Sequence, residues 1–99
     1  MEIEVMPSEG GEPASVSEVV GALKKVGFET KLENPNWGCW IHLSGYQTSI
    51  SVDLERRLIS RACLEIDDAD PDEVQSKLFA AFAKLGWQGE DEDGPFRLD

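Results

Sequence analysis

The sequence predicts an α+β domain, an antiparallel sheet in the order β-α-β-β-β-β-α with a last short strand as an addition, and two helices packed on one face. Two observations carry this. From Trp37 to Ile66 apolar and polar side chains alternate through three consecutive segments, the period of strands with one dry and one wet face. On either side lies a segment with apolar residues three and four apart that stops at a glycine, the pattern of an amphipathic helix covering a sheet.

Taken in order, Glu2, Ile3, Glu4 and Val5 alternate as a short first strand ending at Pro7, and Ser8 to Pro13 is a loop. Ser15 with Glu18 three residues on is a capping box, each side chain satisfying a backbone N–H that a helix start leaves orphaned. Val16, Val19, Val20, Leu23 and Val26 then form the apolar stripe, and Gly27 ends the helix. Phe28 to Glu33 alternates again, with Phe28, Thr30 and Leu32 inward, and an Asn34-Pro35-Asn36 turn pairs Leu32 with Trp37.

In the central meander Trp37, Cys39, Ile41 and Leu43 share the dry face, as do Ile50, Val52 and Leu54, then Leu58, Ala62, Leu64 and Ile66. Ile59 breaks the pattern. A tight Ser44-Gly45 turn sets Leu43 beside Tyr46 and Cys39 beside Ile50; a three-residue loop at Glu55-Arg56-Arg57 sets Leu54 beside Leu58 and Ile50 beside Ala62. A two-residue loop at that second turn would oppose apolar residues to Arg57 and Arg61, which argues against it.

Asp67 to Glu73 is acidic, and Asp68, Asp70 and Asp72 alternate like the start of a calcium loop. The sixth and twelfth positions of that motif hold Glu73 and Phe79 instead of glycine and glutamate, so the motif fails. The run reads instead as a helix start, with Asp70 as N-cap and Pro71 at the first helical position. Val74, Leu78, Ala81, Phe82 and Leu85 make the second stripe, closed by Gly86. Phe96 and Leu98 form a short strand against Trp87-Gln88, with residues 90–94 as a flexible acidic loop between them. The layout β-α-β4-α is shared with the fold of TATA-binding protein, a likeness of element order and not of residues; a ferredoxin-like sheet is the alternative, and neither assigns a function.

The 99 residues make a single domain with one core. A net charge of −11 and a pI near 4.3 argue against nucleic acid and anionic membranes, which need basic patches. No apolar run is long enough for a membrane span, and the first residues show no secretory leader. Cys39 and Cys63 fall on opposite faces, which argues against a disulfide and fits a reduced, cytoplasmic setting. With one histidine in the chain, no metal centre and no cofactor is expected.

Enzyme chemistry is not expected either. His42 and Cys63 share the outer face but stand two strand spacings apart, about 10 Å, whereas a base must come within about 3 Å of its nucleophile. What remains is that face itself. One row is expected to hold Glu29, Trp40, Ser49 and Cys63, flanked by His42, Gln47 and Glu65 on one side and Lys31, Gly38, Ser51 and Arg61 on the other. An aromatic among small residues ringed by charge suits partner contact. The sequence therefore points to a small acidic interaction protein of inhibitor or adaptor type. Trp40, His42, Ser49, Arg61 and Cys63 would meet a basic or amphipathic protein, with the chain a monomer or homodimer. The alternative is a small-ligand domain with an apolar pocket between helices and sheet near Trp37, Phe82 and Trp87.

Overall fold

The computed structural model describes residues 2–33 and 39–98. Along the chain lie β1 (Glu2–Pro7), β2 (Ala14–Ser15), α1 (Val16–Lys25), β3 (Thr30–Glu33), β4 (Cys39–Leu43), β5 (Ser49–Glu55), β6 (Leu58–Glu65), α2 (Pro71–Lys84), β7 (Trp87–Asp91) and β8 (Gly94–Phe96). The strands form one sheet in the order β3-β4-β5-β6-β1-β7-β8, with β2 paired to β6. Every pairing is antiparallel. This is the expected α+β fold. Four strands, β3 to β6, run between the two helices, whereas a ferredoxin-like sheet has two there.

The dry face carries Val5, Cys39, Ile41, Leu43, Ile50, Val52, Ala62 and Leu64, which join Val19, Leu23, Val74, Leu78 and Phe82 of the helices in one core. Burying each large aliphatic or aromatic group there contributes about 1.5–3 kcal/mol. Both helices begin and end where the sequence places them. Ser15 and Glu18 make the reciprocal capping box. At the other end Phe28 N–H donates to the Leu23 carbonyl and Gly27 N–H to that of Lys24, a Schellman closure that relies on Gly27 at φ 99°. Gly86, at φ 78°, ends α2 in the same way, its N–H donating to the Ala83 carbonyl.

Turn lengths are where expectation and structure part. Ile41 opposes Ile50 and Cys39 opposes Val52, two residues away from the expected register, because the β4–β5 connection is longer than a Ser44-Gly45 turn. Leu43 N–H donates to the Thr48 carbonyl, and Tyr46 N–H to that of Leu43. The β5–β6 turn is the two-residue one argued against above: Glu55 opposes Leu58, and Arg56 and Arg57 between them adopt φ 53° and 70°, the left-handed pair that a tight hairpin turn requires. The parity problem that argued against it is solved by an irregularity next to Asp53 and Leu54. Leu54 faces Ile59 but Asp53 faces Arg61, so Ser60 is the extra residue of a β-bulge. Ile59 is consequently buried, while Leu54 and Leu58, both expected inward, are exposed.

The sheet's margins also differ from expectation. Leu32 pairs with Ile41 and not with Trp37, and on the edge strand β3 it stays 46% exposed. Trp37 and the Asn34-Pro35-Asn36 turn lie outside the described residues. The acidic stretch 90–94, expected as a flexible loop, belongs to the β7–β8 hairpin: Glu90 pairs with Pro95 and Asp91 with Gly94. Asp93 N–H donates to the Asp91 carboxylate at 2.9 Å. Phe96 sits opposite Gly89 and covers it, leaving no room for a β-carbon there.

The acidic run after β6 does more than start a helix. Asp70 is the N-cap residue and Pro71 follows it, but the Asp70 side chain makes no capping hydrogen bond. Asp68 instead accepts from Gln47 N–H at 2.9 Å and from the hydroxyl of buried Thr48, fastening the β4–β5 loop to the segment leading into α2. Asp68→Ala should therefore lower the unfolding free energy by about 1.5–3 kcal/mol, the range for hydrogen bonds to a charged group. Asp70→Ala should stay within about 0.5 kcal/mol of wild type. Urea denaturation of both variants checks the contrast, and equal losses would contradict it. By the same measurement Arg57→Gly should gain roughly 0.5–1 kcal/mol, the left-handed cost of an L-residue less glycine's added chain entropy.

Candidate functional site on the outer sheet face

Both helices lie on the dry side, so among the described residues no helix covers the polar parity of the sheet. The pairings place Glu33, Trp40, Ser51, Cys63, Glu4 and Glu90 in one row across β3, β4, β5, β6, β1 and β7. The next row holds Lys31, His42, Ser49, Glu65 and Glu2, and on the other side Asp53 opposes Arg61. Trp40, His42, Ser49, Arg61 and Cys63 thus share one face, as expected. The row itself differs. Trp40 stands opposite Ser51 and not Ser49, and Glu33 takes the place expected for Glu29, both through the altered registers.

Trp40 and His42, two residues apart on β4, stack with ring centroids 6.3 Å apart and planes within 7°. The His42 Nε2 lies 3.1 Å from a Glu33 carboxylate oxygen, so the edge strand steadies one end of an aromatic platform. Arg61 approaches Glu4 at 3.8 Å with both side chains half exposed, a pair worth little to stability. The carboxylates of Glu2, Glu4 and Glu90 are the part of this face that sequence reasoning missed. Their outward parity was readable from the alternation, but nothing local says that β1 inserts between β6 and β7.

His42 and Cys63 remain on β4 and β6 with β5 between them, and in different rows. Burial pushes the Cys63 thiol above its ordinary value, and the charges of Glu2, Glu65 and Glu4 push it further. Burial does the same to Cys39, which lies in the core. Since the thiolate is the reactive form, this environment quiets Cys63. Both cysteines are free. Among the described residues no group of His, Cys, Asp and Glu is arranged to hold a metal ion, and no helix is long and apolar enough to cross a membrane.

The pocket alternative divides along its residues. Phe82 and Trp87 pack on each other, centroids 5.4 Å apart, with Phe82 fully buried and Trp87 3% exposed. The Trp87 indole N–H is buried without a hydrogen-bond partner among the described residues. A small cavity of about 240 Å³ borders Trp87 beside Ser8, Gly86 and Arg97, but Phe82 does not line it. Trp37 lies outside the described residues. Phe82 is therefore a core residue filling the space between α2 and β7.

No protein family, curated protein or solved structure matches this chain.

The charge around Cys63 makes a direct test. Removing the carboxylate with the largest charge effect on the thiol, Glu2→Gln, should shift the pH profile of Cys63 alkylation by iodoacetamide to lower pH, because one fewer negative charge opposes the thiolate. A distant surface change, Glu12→Gln, should leave the profile in place. Coincident profiles for all three proteins would show that the carboxylates do not act on the thiol.

Proposed function

We propose that the chain is a small acidic interaction protein, of inhibitor or adaptor kind, that engages a basic or amphipathic protein through the outer face of its sheet in a cytoplasmic setting. The observation that carries this reading is the Trp40–His42 stack, flanked on β3 by Glu33 and Lys31, on a face whose two rows run across the sheet to Glu65, Glu4 and Glu2. A flat aromatic pair supplies contact area at small cost in conformational freedom, and the carboxylates farther along the same face favour a cationic partner. The net charge of −11 acts in the same sense and disfavours nucleic acid and anionic lipid. Binding is favoured over catalysis because His42 meets a carboxylate rather than a nucleophile, while the thiol on the same face is held in its unreactive form.

The reading predicts capture of a partner from native lysate at low salt that weakens at high salt, as exposed charge contacts do. Trp40→Ala, folded by circular dichroism, should reduce that capture about tenfold or more, the scale of an interface aromatic. Identical capture by Trp40→Ala and wild type would remove the outer face as the contact surface. Sedimentation of both proteins separates a monomer from a homodimer formed through the same face.

A further inference from the structure

The pairing of β1 with β7 stops at Glu4 and Glu90. Beyond that point β7 continues to Asp91 and turns through Glu92-Asp93 into β8, leaving the first residues of β1 behind. A groove of about 940 Å³ lies there, bordered by both faces of the sheet end and by α2. Its apolar lining is Ile3, Phe79 and Phe96, all partly buried against the core, with the two phenylalanine rings 6.0 Å apart. Phe96 is held in place over Gly89. Around these groups stand the carboxylates of Glu2, Glu4 and Glu90 through Asp93, and no lysine, arginine or histidine lines the groove. Arg61 pairs with Glu4 at 3.8 Å and is half exposed.

We infer that this groove anchors a basic amphipathic peptide segment of the partner, with one large apolar side chain on the Ile3–Phe79–Phe96 floor and lysine or arginine against the rim. The inference rests on the outer-face reading above, since Glu2, Glu4 and Cys63 belong to both surfaces. Charge complementarity selects the occupant. Every charged side chain on the rim is acidic, with Gln75 and Cys63 as its neutral polar members, so a basic segment gains more from it than an acidic or neutral one. The aromatic floor gives an apolar side chain a place that a purely polar cation cannot use. The volume accommodates several side chains rather than one ion, and among the described residues the carboxylates are not arranged to hold a metal.

Fluorescence anisotropy with two labelled peptides tests it, one alternating lysine with leucine and one alternating lysine with serine at equal length and charge. Wild type should bind the lysine–leucine peptide about tenfold more tightly, a difference of about 1.4 kcal/mol. Glu92→Lys with Asp93→Lys, at the exposed hairpin tip, should weaken both peptides about tenfold or more. Phe79→Ala should abolish the preference for leucine while keeping a salt-sensitive residue of binding. The tip variant alters no core contact, so the test stands even if Phe79→Ala fails to fold. Equal binding of the two peptides, unchanged binding by the tip variant, no binding by wild type, or full displacement by spermine at matched charge would each overturn the groove. If capture of the lysate partner still depends on Trp40 while the peptides ignore the groove, the outer-face reading survives alone. If the tip variant loses the peptides while Trp40→Ala captures like wild type, the groove survives alone.

Discussion

A pleated strand sends successive side chains to opposite sides, and here only one side has helices to cover it. Almost everything else follows from that constraint. Val5, Ile41, Ile50, Val52, Ala62 and Leu64 must all face α1 and α2, so each turn has to deliver its next strand in the matching parity. The bulge at Ser60 exists within this requirement. A two-residue turn at Arg56-Arg57 puts Leu54 against Ile59, and one extra residue then restores Val52 to Ala62 and Ile50 to Leu64. The cost is local: two arginines in left-handed backbone and two leucines, Leu54 and Leu58, in solvent.

The same constraint explains what could be read from the chain. Parity is a local property, and so the dry set and the outer set were legible almost residue by residue. So were the helix ends, because capping chemistry is written in single residues: Ser15 with Glu18, Gly27, Gly86. Register was not legible, because it depends on turn geometry that these residues do not announce. Arginine gives no signal for positive φ, and the loop from Ser44 to Gln47 contains a glycine that invites a shorter turn. The role of Asp68 was hidden for a related reason. Its partners, Gln47 and Thr48, are distant in sequence and meet it only once the sheet is formed.

The candidate site was half legible on the same grounds. Trp40, His42, Ser49, Arg61 and Cys63 share a face by alternation alone. Glu2, Glu4 and Glu90 reach that face through long-range pairing of β1 with β6 and β7. Their arrival changes its chemistry. It makes the aromatic patch acidic and, through Glu2 and Glu4, adds to the burial that already pushes the Cys63 thiol above its ordinary value.

The hairpin orientations also sort charge by position along the strands. Arg56, Arg57 and Arg61 lie toward one end of the sheet, with Lys84 at the end of α2 nearby in direction, where β7 starts beside Pro7. Glu2, Glu65, the β7–β8 tip and the aspartates preceding α2 lie toward the other. Superimposed on its negative monopole the molecule therefore carries a dipole moment along the strand axis. In the field of a cationic body that dipole experiences a torque, which turns the carboxylate end forward before any atoms touch.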